Sequence, residues 1–274
     1  MALGKRWLRD ELIIAMNLYC KLPFGQLDHR TPIIIEVANK LGRTPSSLAM
    51  KLSNFASLDP ILQDRGIQGL RGASKADREI WQEFYNNWEE LGVESEERFQ
   101  ELFENLIPEE YELPNQRNFN NSIQIKTPRS QPTGSTEATV TVKARIGQNF
   151  FRQTVLANYN SRCCITGNPI PELLVASHIL PWGDYIEHRL NPHNGLCLAR
   201  TQDTAFDKGL ITFDEDYRLI ISAYLESFLP DETLYRNFVD YRGKPIHLPS
   251  KFYPNPEFIR RHREEIFIGK ESSN

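Results

Sequence analysis

Nowhere does the chain of 274 residues hold an apolar run approaching the ~20 residues of a membrane-spanning helix. Its opening, Met1-Ala2-Leu3-Gly4-Lys5-Arg6, lacks the apolar centre of a signal peptide. Cysteine is scarce: there are four, two of them adjacent at Cys163 and Cys164, which is no basis for a disulfide framework. Also absent are internal repeats, a Walker-type phosphate loop and a serine-protease arrangement. A soluble chain with reduced thiols in a cytoplasmic setting is therefore expected. Hydrophobic residues make up 40% and aromatic residues 11%, enough for ordinary packed cores, and the length suits about two domains of ~100–200 residues each.

Charge is divided along the chain. Residues 1–76 carry eleven Lys/Arg against six Asp/Glu, whereas residues 77–112 carry two against thirteen. The basic part can bind phosphates, and the acidic part should avoid them. From Pro114 to Ala138 the chain is rich in Asn, Gln, Pro, Ser and Thr, with too few apolar residues to bury a core, so it reads as a linker. Beyond it, Thr139 to Lys143 alternates like a strand, and Phe150 to Tyr159 has a helical apolar face of Phe151, Val155 and Leu156.

The most informative stretch runs from Arg162 to Gly209. Leu173 to Leu180 reads as a strand ended by Pro181, and His178 lies near its end. An imidazole can be neutral and proton-accepting near pH 7, so His178 is a candidate base; a packed, hydrogen-bonded histidine is the alternative. Asn194 lies sixteen residues further on, in the turn-forming Asn191-Pro192-His193-Asn194-Gly195. Its side-chain carbonyl could hold one imidazole nitrogen and leave the other for water, although Asn-Gly alone often makes only a turn. Asp203 and Asp207 stand at i and i+4 of a short helix and so share one face. Two carboxylates side by side repel unless a cation lies between them, and oxygen ligands suit Mg²⁺, with Mn²⁺ as a substitute. Each could instead serve the helix ends. Arg189 fits either a phosphate contact or a solvated surface arginine, and Trp182 fits an anchor better than a base-stacking platform.

These residues resemble the HNH, or ββα-metal, endonucleases, and more narrowly a restriction-type branch of them. In that family a β-hairpin carries the general-base histidine, an asparagine follows in a loop, and a helix supplies metal ligands. Asp203 and Asp207 fall nine and thirteen residues beyond Asn194, the offsets of those ligands. The resemblance continues through Phe206-Asp207-Lys208-Gly209-Leu210-Ile211 and, more weakly, through His262-Arg263-Glu264-Glu265-Ile266-Phe267. It implies hydrolysis of DNA phosphodiesters, with His178 deprotonating water and Asn194 orienting His178. Two departures stand out. Where many members carry Asp or His before the base as a further ligand, this chain has Ser177, a metal or water contact at most. Where many hold a structural zinc on paired Cys-x-x-Cys motifs, Cys163 is followed three residues later by Thr166, so no structural zinc is expected.

In the basic part, Ile34 to Leu52 has the spacing of a helix-turn-helix, which also occurs in plain helical hairpins. Ala38 permits close approach, Gly42 makes the turn, and Leu48 and Leu52 point inward; Thr44 caps the second helix with Pro45 in its first turn. Arg43, Ser46, Ser47 and Lys51 are the expected DNA contacts. Trp7, Leu8, Leu12, Ile13, Met16 and Tyr19 should pack on this pair. Ser74-Lys75-Ala76-Asp77 should open a helix whose stripe is Ile80, Trp81, Phe84, Tyr85 and Trp88, continued by an acidic, solvated helix through Phe99, Leu102 and Phe103.

The resulting expectation is an α+β protein: a helical DNA-recognition domain over 1–112, a linker over 113–138 and a ββα-metal nuclease domain over 139–274. The implied partner is double-stranded DNA, cut with Mg²⁺ in a restriction or defence role, and a homodimer would supply two sites for two strands. A non-catalytic DNA-binding regulator with a degenerate nuclease fold is the alternative. An RNA-directed nuclease is a third reading.

Overall fold

A computed structural model describes residues 6–67, 72–104 and 135–269 of the chain. It divides into two compact units, Met1–Thr154 and Val155–Asn274. Among the described residues no helix is long and apolar enough to cross a membrane. Most of the expected linker lies outside the described residues.

The first unit is helical: α1 Arg9–Lys21, α2 Pro32–Lys40, α3 Pro45–Ala56, α4 Pro60–Asp64, α5 Lys75–Asn86, α6 Trp88–Glu104 and the greater part of α7, Ser135–Asn158. Proline opens α2, α3 and α4, where its missing N–H costs nothing. Thr44 Oγ1 accepts from Ser47 N at 3.2 Å, and Gly42 takes the left-handed turn between α2 and α3 (φ 63°). Ile34, Val37 and Ala38 of α2 and Leu48, Leu52 and Phe55 of α3 are buried, as are Leu12, Ile13, Met16 and Tyr19 of α1. Leu8 is exposed instead of joining them.

Helix α5 starts in the Ser74/Asp77 capping box and buries Ile80, Trp81 and Phe84, while Tyr85 is exposed. The acidic α6 is less solvated than its composition implies. Glu96 is buried, ion-paired to Lys21, and accepts from Asn17 Nδ2 at 3.1 Å and Asn149 Nδ2 at 3.0 Å. The strand expected over 139–143 is corrected: these residues lie within α7. Five alternating residues are a weak signal, and the helical face through Phe150, Phe151, Val155 and Leu156, all buried, carries the segment with it.

The second unit holds two small antiparallel sheets. Strand β1, Leu174–His178, pairs with β2, Gly195–Ala199, with His178 opposite Gly195. Helix α8, Arg200–Asp207, follows β2 without a loop. Strands β3 Ile211–Phe213 and β4 Leu219–Ile221 form a second hairpin, followed by α9 Ala223–Glu226, α10 Glu232–Asn237 and α11 Pro256–Arg261. A π-helical turn, His262–Ile266, extends α11. Phe206 of α8 and Phe213 of β3, both fully buried, meet as tilted rings with centroids 5.6 Å apart. The hairpin β1–β2 followed directly by α8 places the end of β1 against one face of a short helix.

Candidate active site

A pocket of about 340 Å³ opens where β1, the loop after it, α8 and the C-terminal turn meet, and Ser177, His178, Trp182, Asp203, Asp207, His262 and Ile266 are among its lining residues. Of the four residues grouped from the sequence, His178, Asp203 and Asp207 line this one cavity, together with Ser177, whereas Asn194 is not among its lining residues.

His178 ends β1, where the pairing with β2 stops. Its Nε2 lies 2.9 Å from the carbonyl oxygen of Arg189, an acceptor only, so Nε2 carries the proton and donates. That tautomer gives Nδ1 the lone pair. The ring sits edge-on to Trp182 at 5.3 Å. Burial pulls the imidazole pKa down to about 4; the bond to Arg189 opposes this and the Arg189 charge adds to it. At neutral pH the ring is neutral, the form a base requires. Arg189 is itself fixed: Nε donates to the Trp182 carbonyl at 2.7 Å, and the guanidinium lies 4.9 Å from the Trp182 ring centre. Trp182 is thus the anchor of this loop.

The direct bond expected between Asn194 and His178 is not made. Asn194 is fully buried, and its carboxamide serves the backbone: Oδ1 accepts from Leu180 N at 2.8 Å, and Nδ2 donates to Leu180 O at 3.3 Å and His188 O at 3.0 Å. These bonds tie both ends of the loop 180–194. Asn194 is therefore linked to His178 only through that loop, whose Arg189 carbonyl accepts from the ring.

Asp203 and Asp207 project from α8 one turn apart. Burial raises the Asp203 pKa, opposed by the neighbouring Ser177 hydroxyl and by Arg200. Asp207 is pushed up to about 6, first by burial and then by the charge of Asp203, with Lys208 opposing. Ser177 is buried, yet its Oγ closes no hydrogen bond of sound geometry even though it lies beside Asp203. A buried hydroxyl without a partner is costly and, facing two mutually repelling carboxylates, marks a place where a further polar species belongs. The residues fit a divalent cation in that respect, with oxygen donors of the type that Mg²⁺ and Mn²⁺ prefer. Among the described residues no three His, Cys, Asp or Glu side chains gather as a ligand cluster, so such an ion would keep waters or phosphate oxygens in its shell. Cys163, Cys164 and Cys197 are buried thiols outside any disulfide.

In the sequence His262 belongs only to a weakly similar run, and nothing there places it in the pocket lining where the structure has it. It is 1% exposed, and burial takes its pKa down to about 4. A histidine within an Arg/Glu-rich helical run is the available signal, but nothing in its spacing from Phe206 gives the contact between them.

In the first unit two expected DNA contacts are corrected. Lys51 is buried and paired with the equally buried Asp77 at 2.7 Å. The Arg43 side chain, 6% exposed, pairs with Glu11 at 2.6 Å, donates to Arg6 O at 2.7 Å and lies against the Trp7 ring at 4.5 Å. Neither cation faces a groove, because packing at the start of α1 and α5 takes both charges inward. Ser46 is exposed and Ser47 partly so.

Residues 163–214 match the family model described as HNH endonuclease, a span that includes β1, β2, α8 and β3. No curated protein matches the chain. The segment that carries His178, Asn194, Asp203 and Asp207 is thus the part of the chain that is similar to HNH endonucleases.

Proposed function

We propose that the protein is a divalent-metal-dependent endonuclease that hydrolyses phosphodiester bonds of double-stranded DNA. The observation that carries this reading is the convergence on one pocket of a neutral histidine, two carboxylates one helical turn apart and a buried unpartnered hydroxyl. Asp203 and Asp207 would hold Mg²⁺ or Mn²⁺, with Ser177 contacting it or its water. When bound, such an ion offsets charge on the scissile phosphate and the leaving oxygen.

The protein's own residues do the rest. His178 Nδ1 takes the proton from water, and the Nε2–H bond to Arg189 O fixes the ring and stabilises the imidazolium that results. Asn194 keeps the loop closed so that this carbonyl stays in place. Arg189, stacked on Trp182, offers its guanidinium edge to a phosphate. The N-terminal helical unit, with its helix-turn-helix-like α2–α3 pair, would recognise DNA through the exposed start of α3 at Ser46 and Ser47. A restriction or defence role in the cytoplasm fits a nuclease joined to a recognition unit, and two copies would cut two strands.

The competing reading is a DNA-binding regulator without cleavage, favoured by the small number of ligands around Asp203 and Asp207. Plasmid incubated with the protein and Mg²⁺ or Mn²⁺ separates the two. Nicking that His178→Ala abolishes supports the nuclease. Tight binding with no cleavage in either metal, on modified and unmodified DNA, supports the regulator and overturns the proposal.

A further inference from the structure

The C-terminal turn lies outside the matched span 163–214 yet reaches into the pocket. The His262 ring stacks on Phe206 with centroids 3.7 Å apart and planes 1° from parallel. Its Nε2 donates to the Phe206 carbonyl at 3.1 Å, and the Thr212 hydroxyl lies 2.9 Å from Nδ1, so the hydroxyl donates and the ring is the Nε2–H tautomer. Both ring nitrogens are engaged, which removes His262 as a metal ligand or a base. What it grips is the residue immediately before Asp207, in the last turn of α8, whose carbonyl also accepts from Gly209 N at 2.8 Å.

Three further contacts hold the C-terminal turn, two to Gly209 just past α8 and one to β3. Ile268 N donates to Gly209 O at 2.9 Å, and Arg263 Nη1 to Phe213 O at 2.9 Å. Gly209 approaches Ile266 so closely that an added Cβ would lie 2.1 Å from its carbonyl oxygen. An eight-residue helix beginning directly from β2 is thereby fixed at its far end, the end that carries Asp207.

We infer that His262 is a positioning residue for the carboxylate pair, setting the place of Asp207 relative to Asp203 and Ser177, and that residues 262–268 complete the catalytic unit. This rests on the metal-binding role proposed above. Outer-shell groups that orient ligands typically change metal affinity ~10–100-fold when removed.

The test is Mn²⁺ binding by the full chain, followed by electron paramagnetic resonance of the free ion, with melting recorded by circular dichroism. His262→Phe keeps a stacked ring and loses both hydrogen bonds; His262→Gln retains an N–H donor. The expected result is Mn²⁺ binding weakened about 10-fold or more in His262→Phe, with partial recovery in His262→Gln. If His262→Phe fails to fold, Thr212→Val removes only the bond to Nδ1 and should weaken binding about 3-fold, short of the full loss. Wild-type-like Mn²⁺ affinity in the folded variant overturns the inference alone, since a purely structural role would move the melting temperature and not the affinity. Failure of the wild-type chain to bind Mn²⁺ overturns the metal-binding reading itself, and the inference with it.

Discussion

Replacing Gly209 by alanine should destabilise the unit Val155–Asn274 by about 3 kcal/mol. At φ 66° the backbone is left-handed, a conformation that costs an L-residue with a Cβ about 1–2 kcal/mol. The new Cβ would lie 2.1 Å from Ile266 O, where real Cβ contacts stay above 3.0 Å, so two backbone segments must separate by about 1 Å. That movement breaks the Ile268 N to Gly209 O bond, a loss of about 1 kcal/mol. For a unit of this size the sum corresponds to a fall in melting temperature of about 10 °C. Gly243→Ala is the control: its φ is 68°, but its added Cβ meets nothing within 4 Å, so only the strain of about 1–2 kcal/mol applies. Thermal denaturation of both variants by circular dichroism isolates the contact between Gly209 and Ile266. Equal losses for the two glycines would refute the close junction of α8 with the C-terminal turn.

Ser177→Ala should raise the Asp203 pKa further, by removing the hydroxyl that opposes its rise, and should lower cleavage; titration of Asp203 by nuclear magnetic resonance paired with plasmid nicking reads both effects. Ser177→Asp, restoring a third carboxylate, should tighten Mn²⁺ binding measured by calorimetry, and unchanged affinity would place the ion elsewhere. Asp207→Asn should stabilise the metal-free protein at pH 8. A carboxyl whose folded pKa is raised to about 6 favours the protonated form, so its ionisation costs stability as pH rises above the unfolded value. The advantage should be of order 1 kcal/mol after discounting for solvent screening, disappear across pH 6 to 4, and be read from melting curves over that range. Asp77→Ala should cost about 3–5 kcal/mol by leaving Lys51 buried and uncompensated, visible as an early unfolding transition in chemical denaturation.

The local chemistry of the site was legible because it is written at short range. A strand end, a turn-rich loop and an i, i+4 pair place His178, Asn194, Asp203 and Asp207 without knowledge of distant contacts. The α2–α3 pair was readable for the same reason, from Thr44, Pro45 and Gly42. What was not legible depends on partners far along the chain. Lys51 and Arg43 look like surface cations until Asp77 and Glu11 are seen beside them. His262 lies 56 residues from Phe206, whose carbonyl it grips, and no periodicity links them. The direction of the Asn194 carboxamide was likewise settled by a loop closing back on Leu180 and His188. At 139–143 local alternation lost to the longer helical face that follows it.

Crystals soaked in Mn²⁺ and measured at the manganese absorption edge examine the metal site itself. An anomalous peak shared by the Asp203 and Asp207 carboxylates, on the Ser177 side of the pocket and opposite His178 Nδ1, is the predicted result. A manganese position away from both carboxylates, or none at concentrations that support binding in solution, would contradict it.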